Sequence, residues 1–291
     1  MLRLGVDIGG TNVAMGLVDE AGRVVFRGSS PFLYPHDPAG EVKAIIDQIQ
    51  KTCADAGIKP SELEMIGLAV PGSVDMENGV VIHAHNLGFH NLPLRALIAE
   101  ALEVPVFLAN DADAAALAEW KVGALQGCGT AALITLGTGV GGGLILNGKL
   151  WSGGRGNGVE LGHMMLKHGH APCSCGNLGC VESYCSATRL ARDGGLGSAK
   201  AVFDAAASGD HRAQTLLADY IDDLGSALAS IVNLLDPERI AIGGGVSGAG
   251  EALLAPLREN MALKCFFATP PDLVCATLGN DAGFIGAAML G

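Results

Sequence analysis

Glu160-Leu161-Gly162-His163 precedes a short segment, Cys173-Ser174-Cys175-Gly176-Asn177-Leu178-Gly179-Cys180-Val181-Glu182, that is dense in groups able to do chemistry. One imidazole and three thiols lie at fixed, close separations, with a carboxylate at either end. His163, Cys173, Cys175 and Cys180 are a closed tetrahedral set for Zn²⁺, which leaves no coordination position for water and so points to a structural ion. The competing reading, three buried thiols, suits Cys173, Cys175 and Cys180 poorly, because glycine punctuates the segment and works against regular core packing. His168 and His170 are further candidates for the imidazole; His163 is preferred. Glu160 and Glu182 could be plain surface carboxylates. Their attachment to a metal-held loop favours instead a role in binding a hydroxyl-rich ligand.

Two glycine turns carry a second possibility. Gly137-Thr138-Gly139-Val140-Gly141-Gly142 matches G-x-G-x-x-G, but that pattern needs a helix to begin there, and residues 143–148 read as a strand and hairpin. The match at residues 243–248 sits better, between a strand and a helix, and keeps a dinucleotide reading open. The alternative is a pair of hairpin turns whose backbone N–H groups and hydroxyls, Thr11 and Thr138, hold nucleotide phosphates. Tight turns with no ligand remain the bland reading; two copies with adjoining hydroxyls favour the nucleotide. At Asn110-Asp111 a helix begins, and Asp111 taken alone reads as its N-cap. The functional reading makes Asp111 a proton acceptor from an attacking hydroxyl, worth roughly 10²–10⁴-fold in rate, with Asn110 orienting a sugar. Asp113, one turn on, reads as a complement to the helix dipole.

The elements that must position these groups alternate between strand and helix. A strand at 2–6 runs into Asp7-Ile8-Gly9-Gly10-Thr11-Asn12, then a strand at 13–18, a hairpin loop at 19–22 and a further strand. An amphipathic helix is expected at 41–56, a short apolar strand at 65–70 ending in Pro71-Gly72, a helix near 92–102, a strand at 104–109 and a helix from Asp111 through 122. The opening pattern then returns: strand 132–136, turn 137–139, strand 142–146 and the turn Asn147-Gly148. Aligning the copies sets Asp7 against Thr135, Gly9 against Gly137 and Asp19 against Asn147, which predicts an internal duplication. Beyond the metal segment the chain turns helical, with its longest helix at 213–235. A strand at 239–242, a turn at Gly243-Gly244-Gly245, a helix at 252–261, a strand near 273–276 and a last helix from 281 complete the pattern.

Composition narrows the class. The chain has 291 residues, 43 glycines and a formal charge of −12. That length allows a two-domain α/β protein, and the glycine count is about twice ordinary usage. The acidic balance without a Lys/Arg cluster argues against duplex binding. No membrane or secretory segment is read. Eight cysteines in such a chain suggest reduced thiols plus a metal site, and a cytoplasmic location. Cys53, Cys128, Cys185, Cys265 and Cys275 read as buried small hydrophobes.

Taken together, Asp7-Ile8-Gly9-Gly10-Thr11, Pro71-Gly72, Asn110-Asp111-Ala112, Gly137-Thr138-Gly139-Val140-Gly141, Glu160-Leu161-Gly162-His163, the 173–182 segment and Gly243-Gly244-Gly245-Val246-Ser247 resemble the ROK (repressor, open reading frame, kinase) family of bacterial sugar kinases. The first turn is weakly specific; the His/Cys/Glu array is highly specific. The resemblance covers essentially the whole chain. It implies an α/β, two-lobed actin-like ATPase (ribonuclease H-like) fold with duplicated sheet domains and a zinc-bound loop, closing over ATP and a hexose. The lobes would be 1–110 plus 281–291, and 111–280. The implied activity is transfer of phosphate from ATP to the 6-hydroxyl of a hexose, glucose first among candidates. N-acetylmannosamine, mannose, fructose and allose are the alternatives.

By the same resemblance Asp111 is the base, and Asn110, Glu160, His163 and Glu182 hold the sugar with Gly72 at the wall. His163 would bind zinc through one ring nitrogen and sugar through the other. Gly9, Gly10, Thr11, Asn12, Gly137, Thr138 and Gly139 would follow the phosphates, Gly244 and Gly245 the nucleoside, and Asp7 would hold Mg²⁺ through water. Asn12 replaces a lysine or arginine common after Gly-Gly-Thr, and Asp113 stands where asparagine is common; neither position carries a catalytic role. A homodimer is the expected assembly. Family members that act as sugar-responsive repressors carry a DNA-binding domain before the first turn, and only six residues precede Asp7 here. A dehydrogenase would need an acid such as Asp272 to read its cofactor, and would leave the paired turns unexplained.

Overall fold

The computed structural model describes residues 1–33, 37–154, 156, 158–169 and 171–291. Its strands are β1 (Arg3–Ile8), β2 (Asn12–Val18), β3 (Val24–Pro31), β4 (Ile66–Val70), β5 (Ser73–Asp75), β6 (Val80–Ala84), β7 (Phe89–Leu92), β8 (Val106–Asn110), β9 (Ala131–Leu136), β10 (Val140–Leu146), β11 (Lys149–Trp151), β12 (Arg239–Gly243) and β13 (Asp272–Cys275). Its α-helices are α1 (Pro38–Asp55), α2 (Leu94–Leu102), α3 (Asp111–Val122), α4 (Glu182–Cys185), α5 (Ala187–Gly194), α6 (Ala199–Ala207), α7 (His211–Leu235), α8 (Glu251–Lys264) and α9 (Ala282–Ala287). The chain divides into two compact units, one of residues 1–126, 150–159 and 280–291, the other of residues 127–149 and 160–279.

In the first unit five strands form one sheet in the order β3-β2-β1-β4-β8. β1 pairs antiparallel with β2 and parallel with β4, and β4 pairs parallel with β8. All five residues of β4 are buried, as expected of a parallel strand covered on both faces. Leu4, Val6, Ile8, Ile66, Leu68 and Leu108 join the stripes of α1 (Val42, Ile45, Ile49) and α2 (Leu94, Ile98) in one core. Elsewhere the sheet meets helix backbone directly. A Cβ on Gly5 would collide with the carbonyl of Phe284, and one on Gly67 with that of Ala287, so only glycine lets α9 lie this close. On α9 itself, a Cβ on Gly286 would strike the Ala114 carbonyl of α3.

These contacts explain why the first unit differs from the expected lobe of 1–110 plus 281–291. Cutting at Asn110 would separate α3 from the helix it packs against, and the compact unit runs on through Gln126. The small antiparallel sheet β5-β6-β7 has no counterpart among the expected elements, because its strands are three to five residues long and lack clean alternation.

The second unit repeats the pattern, with a sheet in the order β11-β10-β9-β12-β13. β9 pairs antiparallel with β10 and parallel with β12, which pairs parallel with β13. The duplication is thus present, with one correction. Ile8 faces Val13 across the first turn, whereas Leu136 faces Val140 across the second, so the second turn is one residue shorter. Asp19 is therefore not the counterpart of Asn147. The Asn147-Gly148 hairpin turn does form, with both residues at positive φ, the signature of a type I′ connection. α7 starts earlier than expected because Asp210 caps it, accepting from Ala213 N–H at 3.0 Å, and it ends at left-handed Asp236 before Pro237. Among the cysteines outside the metal segment, Cys53, Cys128 and Cys185 are buried, while Cys265 and Cys275 are only half-buried. No described helix is long and apolar enough to cross a membrane.

Candidate active site

In the first unit the groups converge at the carboxyl ends of β1 and β8. Asn110, the last residue of β8, caps α3: its Oδ1 accepts from Ala112 N–H at 2.8 Å and from Asp113 N–H at 3.2 Å. The side chain is oriented from its other end, where Nδ2 donates to the Gly72 carbonyl at 2.9 Å. Gly72 has φ of +89°, and a Cβ there would collide with the carbonyl of His83, so the position requires glycine twice over. The capping role that the sequence offers to Asp111 thus belongs to Asn110. Asp111 is the first helical residue; its Oδ1 accepts from Ala112 N–H at 2.9 Å, and its own backbone amide also faces the carboxylate. Asp113 stands in the first turn of α3, where an acid complements the helix dipole as expected, and it is fully buried there.

Asp7, near the end of β1, brings a second acid to this place. Burial, followed by the charge of Asp111, pushes its carboxyl up to about 7. Burial also raises Asp111, partly opposed by the Ala112 amide. Two carboxylates repelling one another in this way make a place whose charge a divalent cation would offset. The turn after β1 closes through Gly9 N–H to the Asn12 carbonyl at 2.9 Å, leaving Gly10, Thr11 and Asn12 exposed at its tip.

The second unit assembles the other half of the expected residues. His163, Cys173, Cys175 and Cys180 each place a donor atom within 4.8 Å of the others. The Cys175 and Cys180 sulfurs are 3.7 Å apart, and Cys173 Sγ is 3.5 Å from His163 Nδ1. Tetrahedral Zn²⁺ with ordinary bond lengths requires edges of about 3.8 Å between sulfurs and about 3.6 Å between sulfur and nitrogen. The donor set therefore fits zinc in kind, number and spacing. Backbone hydrogen bonds make the convergence: Cys173 N–H donates to the Asn177 carbonyl, Gly176 N–H to the Cys173 carbonyl, and bridges join Met165 to Cys180 and Pro172 to Leu178. His168 is exposed and outside the cluster; His170, the other alternative ligand, lies outside the described residues.

With Nδ1 on the cluster side, His163 turns Nε2 toward Glu160, whose Oε2 is 3.9 Å away. Glu182 starts α4 and is held from two directions. Its Oε1 accepts the Ser174 hydroxyl at 2.8 Å, and its Oε2 accepts Val140 N–H at 3.1 Å. It lies so close to the second glycine turn that a Cβ on Gly139 would collide with its carboxylate. The same turn is anchored by Ala187 N–H, which donates to the Gly137 carbonyl at 2.8 Å. Gly244, at φ +78°, packs on the backbone of Leu136, which brings the Gly244-Gly245 turn beside Gly137, Thr138 and Gly139.

Two sequence readings fall here. The 243–248 match does not open a long helix: Gly245–Ala249 is a 3₁₀ turn, and α8 begins only at Glu251. Asp272 stands at the start of β13, paired with Arg239, whereas a ribose-reading acid belongs at the carboxyl end of a strand. Sequence reasoning also missed Ser174 as the group steadying Glu182, and Gly158, at φ +79°, where an added Cβ would come into van der Waals contact with Asn110 and Asp113. The glycine density of residues 153–158 was the available signal for the latter.

Comparison with known proteins places this arrangement. A family model described as the ROK family matches residues 3–291. A glucokinase of Halalkalibacterium halodurans is 38% identical, over 99% of this chain and 94% of its own length. An N-acetylmannosamine kinase of Escherichia coli is 33% identical, over 100% of this chain and 98% of its own. Among solved structures, a ROK family glucokinase from Streptomyces griseus in complex with glucose and AMPPNP superposes with a TM-score of 0.85 at 33% identity, covering 100% of this chain and 99% of that one.

Proposed function

Because this chain belongs to the ROK family, we propose that it is a hexose kinase that transfers the γ-phosphoryl group of ATP to the 6-hydroxyl of a hexose, with glucose preferred. The observation that carries the mechanism is the division of labour at α3: Asn110 supplies the cap, so the Asp111 carboxylate is not needed for it and stands near enough to Asp7 for the two charges to interact.

In this reading Asp111 accepts the proton of the 6-hydroxyl as that oxygen forms its bond to the γ-phosphorus and the bond to the ADP oxygen breaks. A carboxyl raised by burial holds that proton better than an ordinary aspartate. Glu160, His163 Nε2, Glu182 and Asn110 are the groups that hold the sugar hydroxyls, with Gly72 as wall. His163 Nδ1, Cys173, Cys175 and Cys180 would hold Zn²⁺, which would supply rigidity to the loop and leave His163 Nε2 for the sugar. Asp7 would hold Mg²⁺ through water, and that ion would supply charge neutralisation at the phosphates. Gly9, Gly10, Thr11, Asn12, Gly137, Thr138 and Gly139 take the phosphates, and Gly244 and Gly245 the nucleoside. Catalysis is then mostly positioning and charge compensation.

A second substrate reading is favoured by the likeness to an N-acetylmannosamine kinase, which runs the full length of the chain. Measurement of ADP release with ATP across glucose, mannose, fructose, allose and N-acetylmannosamine separates them. Glucose should give the highest kcat/KM; higher values for N-acetylmannosamine would replace it as substrate, and no turnover with any hexose would overturn the kinase reading. Asp111→Asn should lower kcat about 10²–10⁴-fold while sugar binding stays within a few-fold; near-normal kcat would remove Asp111 from the chemistry.

A further inference from the structure

Three histidines unrelated to the Cys/His cluster meet on the small sheet of the first unit. His83 in β6 and His90 in β7 are direct cross-strand partners, and their Nδ1 atoms are 3.0 Å apart. His85 comes just after β6 and stands edge-on to His83, with ring centroids 3.6 Å apart. We infer that His83 and His90, with His85 as a third donor, form a surface site for a divalent transition-metal ion that prefers right-angled nitrogen coordination, of the Ni²⁺ or Cu²⁺ kind.

Geometry selects the ion class. Two imidazole nitrogens bound at about 2.0–2.1 Å and 90° to each other stand about 2.9 Å apart, which is close to the separation observed. Tetrahedral coordination would require about 3.4 Å. Square-planar and octahedral preferences belong to Cu²⁺ and Ni²⁺, whose affinity for imidazole is also high in the divalent series. The two donors are fixed before any ion arrives. Adjacent strands hold them in register, and the His83 backbone is wedged against Gly72, where even a Cβ would not fit. His85 is exposed, with its ring against His83 and 6.4 Å from that of His90, so it donates to the ion only after a change of rotamer. Partial burial and the two neighbouring imidazoles hold His83 below its ordinary value, which keeps its ring unprotonated near neutral pH. A plain N–H···N hydrogen bond between neutral rings accounts for the same spacing without an ion, and the experiment separates the two.

The full chain, loaded with zinc, is dialysed against NiCl₂, and bound nickel is counted by elemental analysis for the wild type and for His83→Ala, His90→Ala, His85→Ala and His211→Ala. The wild type should bind one nickel per chain that the double variant His83→Ala/His90→Ala lacks. Each single loss at His83 or His90 should weaken binding at least about tenfold, His85→Ala should weaken it several-fold, and His211→Ala should leave it unchanged. Equal nickel content in the wild type and the double variant would overturn the site. Paramagnetic broadening of imidazole proton signals gives an independent reading on the unaltered protein. Signals of His83 and His90 should broaden at nickel levels that leave His211 sharp, and equal broadening of all three would sink the proposal even if the variants fail to fold.

Discussion

Asp7 at the end of β1 and Asp111 at the start of α3 are two half-buried acids whose charges oppose each other, and the first is raised to about 7 by desolvation and by the second. Such a pair costs stability in the empty protein and becomes favourable when a cation or a proton occupies it, the usual condition of a site kept for function rather than for folding.

This pair makes stability depend on pH in a definite direction. The folded state holds the Asp7 proton more tightly than the unfolded chain, whose carboxyl has its ordinary value near 4. The contribution is therefore intact at acid pH and is lost as pH rises from about 4 through about 7, by up to about 4 kcal/mol. Urea denaturation between pH 5 and 8 should show this slope in the wild type and a flatter one in Asp7→Asn. An unchanged slope in the variant would place its origin elsewhere.

Asn110 does two jobs through two ends of one amide, and two substitutions separate them. Asn110→Ser keeps a neutral oxygen for the Ala112 and Asp113 amides but removes the amide donor to the Gly72 carbonyl, so most of the helix cap should survive while KM for the hexose rises. Asn110→Ala removes both and should also cost about 1 kcal/mol of stability. Chemical denaturation with steady-state kinetics on both variants checks this; equal stability in the two would show that the cap contributes nothing.

Cys175→Ala should lower bound zinc and hexose affinity together, because an ion in the cluster would hold the loop that carries His163 and leads into Glu182. Atomic emission and sugar-binding calorimetry on one preparation provide the comparison. Full zinc content in the variant would mean the ligands are misassigned.

Gly139→Ala tests the contact between the second glycine turn and Glu182. The added methyl displaces the carboxylate from the Val140 amide, so KM should rise for both hexose and ATP. A change confined to ATP would show that Glu182 tolerates the shift and that the turn and the metal strap act separately.

Much of this protein was legible in its residue order, because the features concerned are local. The Cys173–Cys180 spacing names three thiols and calls for an imidazole among three nearby histidines, Gly139 and Asn147-Gly148 mark turns that form where expected, and the 128-residue recurrence announces two copies of one sheet unit. Propensity, turn chemistry and ligand spacing are all properties of neighbouring residues, so they survive without knowledge of the fold.

Other features depended on which strands pair and in what register. Whether Asn110 or Asp111 caps α3 was settled by Gly72, 38 residues away, whose carbonyl holds the asparagine amide in place. The one-residue difference between the turns, the wrong end of β13 for Asp272, and the meeting of His83 with His90 all come from strand pairing. A shift of one residue in such a pairing moves every side chain to the opposite face. Local sequence specifies which groups are present, and only the packed chain decides which of them face one another.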